Sequence, residues 1–144
     1  MENMVCPICE EGVLALKEGV NETVHKGVRG AVSFFYEECD ACSSEQAGAR
    51  LSLKNKRLML AFRKQVEGLL TGEEVRAVRE RLNLTQSVAA RIFGGGPTAF
   101  SKYESDDVAQ SVAMDKLLRV ADALPQAYRY LGELAGGGTA GRCD

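Results

Sequence analysis

Residues 82–104 read LNLTQSVAARIFGGGPTAFSKYE, and this stretch decides the fold of the C-terminal half. Its first part has apolar residues at the spacing of one helix face: Val88, Ala89, Ile92 and Phe93. Three consecutive glycines then interrupt the pattern, and Pro97 follows, a residue favoured in the first turn of a helix. The stretch therefore predicts two short helices, 85–93 and 97–104, joined by a tight turn.

Further helices are predicted on the N-terminal side of this pair. Apolar residues at the spacing of an amphipathic helix begin near Leu51: Leu58, Phe62, Val66 and Leu69. Thr71 with Glu74 three residues later forms a capping-box pattern, which predicts a new helix over 73–82. We therefore place the junction between two domains near residues 68–72.

Two more helices are predicted on the C-terminal side. One begins after Ser111 and ends at Leu124, before Pro125, and the other covers residues 126–134. The all-α domain is accordingly assigned to residues 71–135. Residues 136–144 contain four glycines and are assigned to a flexible tail.

The first 45 residues have a different pattern. Residues 13–16 and 31–36 are rich in β-forming side chains and are bounded by glycines, so they predict short strands. The segment has few large apolar side chains, and a small domain of this kind needs additional stabilisation. We assign residues 1–70 to a β module with a C-terminal linker helix.

Two Cys-x-x-Cys pairs supply that stabilisation. Cys6 and Cys9 form the first pair, and Cys39 and Cys42 form the second after a separation of 29 residues. Two such pairs bring four thiolates to the corners of a tetrahedron, the arrangement that binds one structural Zn²⁺. The predicted fold is α+β: a small zinc-stabilised β module followed by an all-α helix-turn-helix domain.

Four cysteines can also serve other functions. A redox dithiol requires a flanking βαβ pattern, which is absent, and four thiolates can also hold iron. A catalytic zinc keeps one position open, and four cysteines leave none. We expect neither His25, the only histidine, nor Cys143 in the tail to be a ligand.

The composition, with 45% hydrophobic and 26% charged residues, is that of a soluble globular protein. No run of about 18 apolar residues predicts a membrane span, and residues 1–4 lack the features of a signal peptide. We therefore expect a cytoplasmic protein with reduced thiols and no contact with a membrane.

Charge is divided unevenly along the chain. Residues 1–50 carry four Lys/Arg and nine Asp/Glu, a net charge of −5. Residues 51–70 carry one acidic residue, Glu67, and five basic ones, a net charge of +4. The basic residues are Lys54, Lys56, Arg57, Arg63 and Lys64. Such a cluster can contact phosphates, although it can also be a solvated helix face.

The segment from Leu82 to Ala89 resembles the opening of helix-turn-helix domains of the Xre/Cro type. In that fold the helix that begins at Thr85 crosses the DNA backbone, and Gln86 lies near a phosphate. The resemblance implies that the next helix reads bases in the major groove with side chains near its N-terminus. Here these are Thr98, Ser101 and Lys102.

The complete pattern resembles the MqsA (YgiT) antitoxin family over about residues 4–124. It comprises Cys-Pro-Ile-Cys-x-x-Gly at residues 6–12, the second cysteine pair, and the run Phe-Gly-Gly-Gly-x-x-Ala-Phe-Ser-x-Tyr-Glu at residues 93–104. The resemblance implies an N-terminal zinc domain that binds an mRNA-cleaving toxin, a basic ribonuclease. It also implies a C-terminal domain that dimerises and represses its own operon at a palindromic operator in double-stranded DNA.

Two base-reading positions depart from the family. Its best-known recognition helix has Asn and Arg where this chain has Thr98 and Lys102, so the operator sequence is expected to differ. The resemblance places Arg63 where the interdomain segment approaches the DNA backbone.

A homodimer is expected because one short recognition helix reads too few base pairs for a specific site. An alternative function is a stand-alone zinc-containing transcriptional regulator without a toxin partner. An enzyme is disfavoured, since the sequence offers no nucleophile–base pair, carboxylate dyad or open metal site. The gene neighbourhood separates the first two functions, because an antitoxin requires a basic partner encoded beside it.

Overall fold

The computed structural model describes residues 4–136. The first part is a three-stranded antiparallel sheet in the order β1-β2-β3, followed by one long helix. The elements are β1 (Leu14–His25), β2 (Val28–Cys39), β3 (Glu45–Gln46) and α1 (Ala49–Val66). The second part is all helical. Its elements are α2 (Gly72–Arg81), α3 (Gln86–Phe93), α4 (Ala99–Glu104), α5 (Val112–Ala123) and α6 (Pro125–Ala135). The α+β fold class is confirmed.

Strands β1 and β2 form a single long hairpin, which extends the predicted strands at 13–16 and 31–36. Lys26 and Gly27 form its two-residue turn, and both have positive φ, 48° and 79°, as a type I′ turn requires. Gly19 and Gly30 are two of the glycines that bound the predicted strands in the sequence, and these limits were wrong because both glycines lie within the strands. At these two positions a Cβ atom would overlap an aromatic ring, of Phe34 and Phe62 respectively.

Helix α1 packs on this hairpin through a polar anchor. The Asn55 side chain accepts a hydrogen bond from the backbone N–H of Phe35 at 2.7 Å and donates one to its carbonyl at 2.8 Å. Asn55 thereby satisfies backbone groups of β2 that no strand pairs with at this point. The ammonium group of Lys54 lies 3.8 Å from the centre of the Phe35 ring.

The helical part has a continuous apolar core. Two aromatic contacts lie at its centre, Phe93 with Phe100 at 5.9 Å and Phe100 with Tyr103 at 5.6 Å between ring centres. The buried residues of this core are Leu70, Val75, Val78, Ala89, Ala90, Phe93, Ala99, Phe100, Leu118 and Ala121. The apolar helix face that the sequence predicts for residues 88–93 therefore packs into this core.

Buried Asp115 anchors the segment between α1 and α2. It accepts hydrogen bonds from the backbone N–H of Leu70 at 2.7 Å, from Gln110 at 3.0 Å and from Arg119 at 2.8 Å. Burial raises the pKa of this carboxyl, but the three donors more than offset it, and the net pKa is lowered. The carboxylate thus holds the start of α2 against α5.

The chain divides into two compact units between Phe62 and Arg63, within α1. The sequence places the boundary later, after residue 70. The physical reason for the difference is Lys64, which is buried in the second unit, where it donates to Tyr103 and Asp106. The predicted tail from residue 137 onward, including Cys143, lies outside the described residues.

Candidate metal centre and nucleic-acid interface

The four predicted cysteines meet at one point. Their Sγ atoms all lie within 4.8 Å of one another, with Cys6 and Cys42 at 3.8 Å and Cys9 and Cys39 at 3.6 Å. A tetrahedron with Zn–S bonds of about 2.3 Å has edges of about 3.8 Å, so the sulfurs fit this ion. With four protein ligands the coordination is closed. The centre is a structural zinc site, as predicted.

The turns that carry the first pair also direct backbone N–H groups at the sulfurs. Ile8 donates to Cys6 at 3.4 Å and Gly12 donates to Cys9 at 3.3 Å. The pKa of the Cys6 thiol is lowered to about 6, chiefly by the Cys9 backbone N–H. Burial acts in the opposite direction but does not offset this effect. Backbone N–H groups, that of Gly12 foremost, also lower the pKa of Cys9. This pair is predisposed to the thiolate form that binds metal.

The second pair shows why a cation is needed. The backbone N–H of Cys42 favours a thiolate at Cys39, but burial and the sulfurs of Cys9 and Cys42 raise the Cys39 pKa to about 11. Adjacent thiolates repel one another, so the fourth proton is hard to remove. A dication among the sulfurs removes this repulsion, and metal binding is therefore linked to proton release.

Two residues beside the metal centre were not singled out by the sequence. Gly12 lies so close to the second pair that a Cβ atom there would overlap the Cys39 sulfur. The Ser44 hydroxyl lies 3.1 Å from the Cys42 sulfur and 3.6 Å from the Cys6 sulfur. The only sequence feature that indicates a role for Gly12 is its place in the first cysteine motif, three residues after Cys9.

Metal-ligand exposure differs within the site. Cys6 and Cys39 are buried with Leu14 in the core of the small module, whereas Cys42 is exposed. His25 lies at the far end of β1, beside the hairpin turn, and is not a member of the cysteine group. The expectation that His25 is no ligand agrees with this placement.

The helix-turn-helix consists of α2, α3 and α4. Gly94, Gly95 and Gly96 connect α3 to α4 with φ of 96°, 100° and 93°, values that side-chain-bearing residues rarely adopt. At Gly95 a Cβ atom would also lie 2.9 Å from that of Ala99. The triple glycine is therefore required by the turn itself.

An ion pair fixes α4 to α2. Both oxygens of Glu104 accept hydrogen bonds from the Arg79 guanidinium, at 2.7 and 2.8 Å, and the same guanidinium donates to the Leu84 carbonyl at 2.8 Å. The Gln86 amide donates to Glu104 at 3.2 Å. Gln86, predicted to lie near a phosphate, is thus also held by the end of α4.

The predicted base-reading residues share the outer side of α4. Thr98, Ser101 and Lys102 are exposed, whereas Ala99 and Phe100 are buried. The predicted helix start at Pro97 was wrong: α4 begins at Ala99, because residues 97 and 98 form a turn after the glycines.

The sequence predicts that a helix begins at Thr85, and Thr85 is the N-cap of α3. Its hydroxyl accepts a hydrogen bond from the backbone N–H of Val88 at 3.2 Å. Thr85 and Gln86 are both exposed.

The basic segment does not act as one cluster. Lys64 is buried and bound to Asp106, and Lys54 lies over the Phe35 ring. Lys56 and Arg63 are exposed. The whole segment therefore does not form one phosphate-binding surface. Arg63, the residue predicted to approach the DNA backbone, is accessible.

The fold and the metal centre define a zinc-containing helix-turn-helix protein, a regulatory class. The family model for MqsA, described as the antitoxin component of a bacterial toxin-antitoxin system, matches residues 4–134. The curated protein Antitoxin MqsA of Escherichia coli (strain K12) is 33% identical over 133 residues, which is 85% of this chain and 95% of that protein. The chain therefore belongs to the MqsA antitoxin family and is the antitoxin of a toxin-antitoxin system.

No helix within residues 4–136 is both long enough and apolar enough to cross a membrane.

Proposed function

We propose that this antitoxin is a cytoplasmic autorepressor that binds its own operator through α4 and its toxin through the zinc module. The observation that carries the DNA-binding half is the arrangement of α4. Its inner residues Ala99 and Phe100 are buried in the core, and this fixes Thr98, Ser101 and Lys102 on the outside. A helix held in this way can enter a major groove as a rigid body.

Operator binding by a homodimer follows from the size of this element. Six helical residues read only a few base pairs, so a second copy is needed for a specific site, about one helical turn away. Apolar side chains on the last two helices support such an interface. Leu124 at the end of α5 and Tyr130 and Leu134 on α6 are 55–60% exposed.

The toxin-binding half is supported by the outward face of the hairpin. Leu16, Val20 and Val24 lie on one side of β1 and are 58–61% exposed, with Glu18 and Glu22 between them. This face combines apolar area with negative charge. A basic ribonuclease offers the complementary surface, and the charge would speed its capture.

The DNA-binding proposal is tested by footprinting the full chain on its own promoter, with Lys102→Ala compared to wild type. The variant should lose about 1–3 kcal/mol on the operator and discriminate less among bases. Lys116→Ala, an exposed lysine of α5, is the matched control and should bind normally. Unchanged base preference in Lys102→Ala would show that α4 does not read the operator.

The toxin proposal is tested by titrating the full chain with the basic protein encoded by the neighbouring gene. Val20→Lys should weaken binding roughly tenfold or more, since it places a positive charge on the apolar face and this charge repels a basic toxin. Asn21→Lys adds the same charge on the opposite face of β1 and is the control. If the wild-type chain binds no such partner, the alternative of a stand-alone zinc-containing regulator is favoured.

A further inference from the structure

Lys64 is a buried lysine at a position where the amphipathic pattern of α1 predicts an exposed one. Its side chain is fully buried, and its ammonium group donates to the Tyr103 carbonyl at 3.1 Å and to the Asp106 carboxylate at 2.9 Å. Burial of a lysine is costly unless its charge is paired and its donors are satisfied. Both conditions are met here by groups at the end of α4.

The Tyr103 carbonyl is one of the last carbonyls of α4. Such carbonyls have no partner within their own helix, and a cation near them also interacts favourably with the helix dipole. Lys64 therefore caps the C-terminal end of α4 from a different element, the last turn of α1. Asp106, with φ of 60°, follows two residues after the end of α4 and completes the contact.

The same carboxylate also anchors the start of α2. The oxygen of Asp106 that pairs with Lys64 accepts a hydrogen bond from the backbone N–H of Gly72 at 2.9 Å. A Cβ atom at Gly72 would overlap the backbone carbonyl of Glu104, so α2 meets the end of α4 without space to spare. One buried ion pair therefore joins the last turn of α1, the first turn of α2 and the end of α4.

We propose that Lys64 is a positioning residue for DNA recognition, which sets the orientation of α4 and thereby the base preference of Lys102. This rests on the proposed operator binding by α4. The helix has fewer than two turns, and Thr98 makes no side-chain hydrogen bond that caps its N-terminus. Its orientation must then come from neighbouring elements. Lys102 precedes Tyr103, so a displacement of the Tyr103 carbonyl moves Lys102 with it.

The test compares Lys64→Met with Arg63→Met in the full chain. For each variant, affinity is measured for the operator and for operators with single base-pair changes, over a range of salt concentration. Lys64→Met should reduce the discrimination between these sites by roughly tenfold, about the cost of one mismatch. Its salt slope should not change, because a fully buried ammonium cannot contact a phosphate. Arg63→Met should keep the discrimination. The slope of log K against log salt concentration should become shallower by about 0.9 in this variant.

The double variant Lys64→Met/Asp106→Asn distinguishes a general loss of stability from a loss of the orientation of α4. An asparagine still accepts from Gly72 and leaves no unpaired carboxylate, so the double variant should recover thermal stability. If Lys64 positions α4, the discrimination stays low because the Tyr103 carbonyl keeps its hydrogen bond from the Asp106 backbone N–H but still lacks the Lys64 donor. Recovery of both properties would overturn the proposal, as would full discrimination in Lys64→Met or a flattened salt slope.

Hydrogen exchange supplies a measurement that does not depend on DNA. Amides at 105–107, which bond to carbonyls of α4, should exchange roughly five- to tenfold faster in Lys64→Met, while those of α5 should not change. Unchanged exchange at 105–107 would overturn the positioning role. Failure of the wild-type chain to bind its promoter would instead overturn the proposed function.

Discussion

The metal centre requires a glycine at residue 12, because the backbone there lies very close to the Cys39 sulfur. Gly12→Ala places a methyl group against Cys39, and because the sulfur positions are fixed by zinc, the backbone must move. We expect the variant to bind zinc more weakly than wild type, measured by competition with a chromophoric chelator.

Gly48 is the matched control for this change. It belongs to the same module, and nothing lies within 4 Å of a Cβ atom added there. Gly48→Ala should retain wild-type zinc affinity. Equal affinities in the two variants would contradict the requirement for a bare backbone at residue 12.

Individual residues differ in how far the sequence determines their role. The four cysteines are identified by spacing alone, because coordination chemistry permits few other uses of that pattern. Lys64 is not, since its partner Asp106 is 42 residues away and neither residue belongs to a recognisable motif. In sequence it is indistinguishable from Lys56, which is exposed.

At the scale of single elements, helix starts are the best-determined feature. Thr71, Thr85 and Ser111 were each predicted to begin a helix, and each hydroxyl accepts a hydrogen bond from the third residue of its helix. The sequence failed at Pro97, where the helical interpretation was based on proline preference. The three glycines with positive φ extend the turn and delay α4 by two residues.

Thr85 therefore has two roles that can be separated, N-cap of α3 and proposed DNA contact. Thr85→Ala should lower the free energy of unfolding by about 1 kcal/mol because Val88 loses its capping partner. Ser111→Ala removes the equivalent cap of α5, whose hydroxyl accepts from Met114 at 3.0 Å, and should cost a similar amount. Chemical denaturation measures both.

Operator affinity then distinguishes the two caps. If Thr85 also lies at the DNA backbone, Thr85→Ala should weaken operator binding more than Ser111→Ala does at equal loss of stability. Equal affinities would leave Thr85 as a capping residue only.

In the whole molecule, two units obtain their stability in different ways. The helical unit has a large apolar core, whereas the buried residues of the metal core are only Cys6, Leu14 and Cys39 within the described part of the chain. The sequence predicts this difference correctly, because the first 45 residues contain few large apolar side chains. The division point was harder to predict, since α1 is continuous through it.

Removal of zinc should therefore unfold one unit and spare the other. We expect a strong chelator to abolish the dispersed amide resonances of residues 4–46 in a nuclear magnetic resonance spectrum of the full chain, because metal binding supplies much of that module's folding free energy. Resonances of the helical core, such as Ala89 and Phe100, should stay in place. Cys42→Ser should reproduce this effect without chelator, because Cys42 is one of the four cysteines of the sulfur cluster. Cys143→Ser should not, since the sequence does not predict Cys143 to be a ligand. Loss of the helical resonances on chelation would mean that the second unit depends on the first, and an unchanged spectrum would mean that the sheet folds without metal.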